Sequence, residues 1–159
     1  MPIIGAGTTS RVLSSTEDYP LFQRVIQSDI FSATIMAEFI ENLGWKNVAL
    51  IYDSEAYAAS FGEKLQAELS ARNIHIVNGP ESRMVDTVNL GEITDDIIHP
   101  IVTEIWESEV RAIITIFSYI SGDLLDDVLA KFLDLGADAG DLFFIVNESL
   151  NFWYLNSLE

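Results

Sequence analysis

The stretch Leu43-Gly44-Trp45-Lys46-Asn47-Val48-Ala49-Leu50-Ile51-Tyr52-Asp53 decides the fold. Before it, Ile35, Met36, Phe39, Ile40 and Leu43 recur at three- and four-residue spacing, the stripe of an amphipathic helix. Ser28 and Asp29 are its candidate caps, and Gly44 stops it. Past the glycine, Val48 to Tyr52 run apolar without alternating, as a strand does when both faces of a parallel sheet are covered. Pro2 to Gly5, Ile74 to Val77, Ala112 to Phe117 and Leu142 to Val146 have the same character. Helix-period segments separate them. One runs from about Ala58 to Ala71 with Phe61, Leu65 and Leu69 inward; another spans Ile93 to Trp106, where Pro100 must kink the helix or start a new one. The last follows Ser121 as a cap, places Leu124, Leu125, Val128, Leu129, Phe132 and Leu133 on one face, and ends at Gly136. Strict strand–helix alternation predicts an α/β fold, a parallel sheet with helices on both faces. Thr8 to Asp18 and Gly79 to Gly91 are polar and are expected to be loops.

Composition narrows the partners. Against 25 acidic residues stand 8 basic ones, a net charge of -17. Such a field repels phosphate backbones and anionic lipid, so nucleic acid is not an expected partner. From Asp86 onward the only bases are Arg111 and Lys131, and a solvated acidic surface explains that half better than a cation site does. With 49% hydrophobic residues, 159 residues can bury one sizeable core. There is no cysteine, hence no disulfide framework and no thiolate metal site. No apolar run has the length of a membrane span, and the amino terminus shows no basic-then-apolar leader.

In an open α/β sheet, ligands sit beyond the carboxyl ends of the strands. Gly5 and Gly7 have the spacing of a dinucleotide fingerprint, but Ser10 replaces its third glycine and no helix follows, so no nucleotide cofactor is implied. The run Thr8-Thr9-Ser10 can cradle a carboxylate, and an ordinary polar turn accounts for it equally well. Asp53 and Glu55 follow a central strand as a phosphoryl-accepting switch would require, yet no lysine ends a late strand to complete it. The acids around Asp123 to Asp127 and Asp134 to Asp141 match no twelve-residue calcium loop, and no metal is expected. His75 and His99 have no nucleophile in sequence reach and are expected to be structural, so no catalytic residue emerges. Trp45 is expected to pack under the next strand. Tyr57 falls in the loop after the central strand, where its ring either covers a ligand or packs on neighbouring chain.

Three segments resemble a known family. Tyr19-Pro20-Leu21-Phe22-Gln23-Arg24-Val25-Ile26-Gln27-Ser28-Asp29, a helix, and then Leu43-Gly44-Trp45 leading into the central strand are similar to the receptor ligand-binding region of the type I periplasmic-binding-protein superfamily. That group holds bacterial amino-acid-binding proteins, class C receptor modules and natriuretic-peptide receptor cyclases. Gly140-Asp141-Leu142-Phe143-Phe144-Ile145 with Asn147-Glu148 resembles its closing strand.

The resemblance implies a two-lobed clamshell of which this chain is a fragment. Residues 1–27 would be the end of lobe one and the crossover, and residues 28–159 the first pass through lobe two. It implies a sensor domain of a membrane receptor, not an enzyme, binding a small molecule such as an amino acid and lying on the extracellular or periplasmic face. By the same resemblance Thr8, Thr9 and Ser10 hold a ligand carboxylate, and Asp29, Tyr57 and Glu148 complete the cleft. The parent is expected to be membrane-anchored, with a homodimer left open. A transport solute-binding protein and a flavodoxin-like phosphoryl-transfer domain are the alternatives.

Overall fold

A computed structural model describes residues 2–5, 11–25, 28–87, 95–118, 124–138 and 140–147, with the side chains of residues 11, 12, 29, 30 and 95 left aside. The strands are β1 (Ile3–Gly5), β2 (Phe22–Arg24), β3 (Asn47–Asp53), β4 (His75–Ile76), β5 (Met84–Val85), β6 (Ala112–Ile116) and β7 (Phe143–Val146). The helices are α1 (Asp29–Asn42), α2 (Ala56–Ala71), α3 (Asp95–Glu107) and α4 (Leu124–Asp134). β1 and β2 pair only with each other, and the remaining strands form one five-stranded sheet ordered β4-β3-β6-β7, with β5 on the same edge of β3 as β4. Every pairing is parallel. The chain is therefore α/β, with the sheet between two helical layers.

β3 shows why the central run had to be continuously apolar. Val48, Leu50 and Tyr52 enter the core under α1 and α2, while Ala49 and Ile51 enter the opposite core under α3 and α4. Alternate residues face opposite sides, and both sides are covered. β6 repeats the scheme, with Ile114 and Ile116 in one core and Ile113 in the other. Trp45 sits edge-on to Phe143 at 5.0 Å between ring centroids, which places the end of α1 beside the start of β7 and bears out its packing role.

Several expectations are corrected. On α1 the inward residues are Ala33, Ala37 and Ile40, whereas Ile35, Phe39 and Leu43 are exposed. The small alanines let α1 lie against α2, and that close approach turns the predicted stripe outward. Leu133 is likewise exposed on α4. Ser28 takes the extended cap position, but its hydroxyl makes no capping bond. α3 continues through Pro100, the sixth residue of that helix. Proline has no N–H for the Asp96 carbonyl four residues back, so the helix runs through Pro100 with one ladder bond missing. The polar stretch after Gly79 contains a 3-10 turn at Pro80–Ser82 and the strand β5, and Arg11–Ser14 forms a 3-10 turn in the other expected loop. Phe22–Arg24 is a strand, unforeseen within the crossover segment. His75 and His99 are both exposed.

α2 carries the strongest ion pairs. Lys64 and Arg72 both reach Glu68, one turn before and one after it, and hold its carboxyl down at about 2 from an ordinary 4.5. A depressed carboxyl contributes stability above its unfolded pKa and loses it as pH falls through the folded one. The window is thus about pH 4.5 down to about 2. Urea midpoints measured across it should fall less steeply in Glu68→Gln than in the parent, and parallel curves would show that the pair adds nothing.

Candidate functional site

The carboxyl ends of β3, β5, β6 and β7 meet at one edge of the sheet, and three polar side chains bind them together. Asp53 ends β3 and is fully buried. Its Oδ1 accepts the Glu55 N–H at 2.9 Å and its Oδ2 accepts the Ser118 N–H at 2.5 Å. One carboxylate therefore shapes the turn into α2 and holds the chain leaving β6. Ser54 Oγ accepts the Thr87 N–H at 2.9 Å and donates to Asp86 Oδ1 at 3.1 Å, tying the same turn to the chain leaving β5. Asn147 follows β7; its Oδ1 accepts the Phe117 N–H at 3.0 Å and its Nδ2 donates to the Phe117 carbonyl at 2.9 Å. These bonds satisfy backbone groups that the ladders abandon where the strands end.

The result is a floor for a site. Four strand ends are locked by side chains whose polar atoms are spent on backbone groups and on one neighbouring carboxylate. Asp53 is not presented to solvent as a phosphoryl acceptor would be: it is enclosed, and both oxygens are occupied by amides.

Tyr57 lies in the first turn of α2, not in a loop, because the helix begins at Ala56. Its ring is half-buried, tilted against Phe61 with centroids 6.1 Å apart, and packed on the core under α1 and α2. It stands at the same sheet edge as Asp53, two residues past the Glu55 amide that Asp53 holds. Of the other expected ligand-binding residues, Thr8, Thr9, Ser10 and Glu148 lie outside the described residues, as does the side chain of Asp29. Among the described neighbours, Gly5 is buried at the end of β1, α1 begins at Asp29, and Asn147 is fixed at the end of β7. Asn147 and Ser54 stand at strand ends where the sequence looks for site residues, but their bracing role is not foreseen there. A polar residue directly after an apolar strand run was the available signal, since a strand end leaves amides to be satisfied.

Among the described residues no three histidine or acidic side chains gather where they could hold a metal ion, and no helix is long and apolar enough to cross a membrane.

The comparisons agree with this geometry. The family model described as the receptor family ligand binding region matches residues 1–156. A metabotropic glutamate receptor-like protein E of Dictyostelium discoideum is 24% identical over 126 residues, covering 79% of this chain and 15% of that protein. Glutamate receptor 3.1 of Oryza sativa subsp. japonica is 36% identical over 77 residues, 48% of this chain and 8% of its own length. The human taste receptor type 1 member 3 is 30% identical over 104 residues, 64% of this chain and 12% of the receptor. The chain thus spans less than a sixth of the length of each of these relatives. A parallel α/β layer with a locked carboxyl-end floor, matched to the family model along almost its whole length, belongs to the receptor ligand-binding-region family.

Proposed function

We propose that the chain is the sensing part of a membrane receptor, facing the cell exterior, and that it binds a small zwitterion such as an amino acid without catalysis. The observation that carries the proposal is the family match over residues 1–156 joined to a sheet edge whose four strand ends are already braced. The separateness of the two sheets supports the division into residues 1–27, closing one lobe and crossing over, and residues 28–159, making the first pass through the second. In this reading Thr8, Thr9 and Ser10 take the carboxylate. Asp29, Glu148 and the Tyr57 ring take the ammonium group. A ligand touching both lobes favours the closed arrangement, and that differential affinity is what makes closure a signal.

Calorimetric titration of the complete two-lobed module with a panel of amino acids tests this. Binding of at least one zwitterion is expected, and Tyr57→Ala should weaken it by about 1–2 kcal/mol, the scale of a desolvated cation over an aromatic face. Absence of heat for every zwitterion would remove the amino-acid assignment. Unchanged affinity in Tyr57→Ala would remove Tyr57 from the site.

A further inference from the structure

A cavity lies on the flank of the sheet, away from the braced strand ends. It holds about 460 Å³ and is lined by Gln66, Ser70, Asn73, Ile74, His75, Ile76 and Arg83. Ile74 and Ile76 are buried and make an apolar floor; Gln66 and Ser70 come from α2, His75 from β4, and Arg83 from the turn before β5. No carboxylate lines it, in a chain with 25 acidic residues. The polar groups around it are an amide pair, a hydroxyl, an imidazole and a guanidinium, and each can donate.

Arg83 is held there by neutral partners. Its Nε donates to the Asn78 carbonyl at 2.9 Å and its Nη1 to Gln66 Oε1 at 2.8 Å. These fix the plane of the guanidinium without neutralising it, and leave three of its five N–H donors unspent among the described residues. Lys64, Arg72 and Lys131, by contrast, all face carboxylates. The strand edge adds another donor. His75 and Val77 give their N–H groups to β3, so the intervening Ile76 turns its own N–H away from β3 toward the open edge. An oriented, uncompensated guanidinium beside a free edge amide is an anion receptor, and its planar fork matches a carboxylate.

We propose that this flank cavity binds a small organic carboxylate, with Arg83 gripping the carboxylate, the Ile76 N–H and His75 completing the cradle, and the apolar body resting on Ile74 and Ile76. The assignment does not depend on the strand-end cleft. Thermal unfolding of the chain with sodium succinate, inorganic phosphate, or sodium chloride at matched ionic strength tests it. Succinate is expected to raise the midpoint beyond the chloride control. Arg83→Gln should weaken the apparent affinity by about tenfold to a hundredfold, the effect of losing hydrogen bonds to a charged partner. Since Arg83 also braces its turn, Ser70→Glu and His75→Glu, both at exposed rim positions, give a second reading: each places a tethered carboxylate at the cavity and should abolish the response. Stabilisation by phosphate without succinate would overturn the carboxylate assignment, and no response beyond chloride would overturn the site. Retention of the response in both Glu variants would also overturn it. Tyr57→Ala should leave the succinate response intact; its loss there would move the binding to the cleft.

Discussion

Asn78→Leu is expected to destabilise the chain by about 3 kcal/mol or more. β4 covers Asn47 and Val48 on one edge of β3, and β5 covers Tyr52 and Asp53, which leaves Leu50 between them with no strand opposite. The Asn78 side chain fills the gap: its Oδ1 accepts the Leu50 N–H at 3.0 Å, and its Nδ2 donates to the Leu50 carbonyl at 2.8 Å and to the Ser82 carbonyl at 2.7 Å. A side-chain amide here does what a third strand's backbone would do. Leucine has nearly the same shape and none of these groups, so a donor and an acceptor are stranded in the core at about 1–3 kcal/mol each. Asn78→Asp separates the two, keeping an acceptor for the Leu50 N–H while losing the donor and burying a carboxyl. Urea denaturation gives both differences from midpoints at constant slope. A loss under about 1 kcal/mol in Asn78→Leu would mean that β4 and β5 close over Leu50 without help.

That gap marks where the sequence stopped being informative. The five apolar runs all became strands; those of β3 and β6 are covered on both faces as continuous apolar runs should be, whereas Ile3 and Ile4 of β1 are 58% and 69% exposed. Of the two-residue strands, β4 falls within the expected run from Ile74 to Val77, but β5 did not announce itself. Met84 and Val85 lie within a stretch of polar and turn-forming residues, and only the uncovered end of β3 selects them. α1 failed differently. Its residues are apolar around most of the helix, so periodicity could not choose a face, and the choice fell to Ala33 and Ala37 through close packing on α2.

The site was legible by position more than by residue. The rule that ligands gather at the carboxyl ends of parallel strands points to the chain from Gly5, Asp53, Ser118 and Asn147; the structure ties Asp53 to Ser118 and Asn147 to Phe117, while residues 6–10 lie outside the described residues. What the rule could not show is which polar residues are braces. Asp53 looked like chemistry and is a brace; Asn147 was noticed only for its place after the last strand and is a brace also. Spacing in sequence does not reveal that a carboxylate is spent on two amides, one of them 65 residues away.

Gly62→Ala is the second large effect, and it reaches the site through packing alone. Gly62 lies in the middle of α2, fully under the Tyr52 ring: an added Cβ would stand 2.6, 2.7 and 2.9 Å from three carbons of that ring. Such distances require a shift of the whole neighbour. Tyr52 is held in the core at 7% exposure, with its hydroxyl accepting from Gln66 Nε2 at 3.1 Å, so the ring has no free direction of retreat. Replacing glycine by alanine within a helix ordinarily gains about 0.5–1 kcal/mol. Overpacking costs about 1–3 kcal/mol and outweighs that gain, giving a net loss of about 1–2 kcal/mol. Because α2 must lift from β3 to make room, the first turn carrying Tyr57 moves with it, and affinity at the proposed cleft should fall alongside stability. Tyr52→Leu in the Gly62→Ala background removes the colliding ring, and a coupling energy of about 1 kcal/mol in the direction of rescue is expected from the double-mutant cycle. A Gly62→Ala variant as stable as the parent would show that α2 and β3 are not packed as tightly as that ring contact demands.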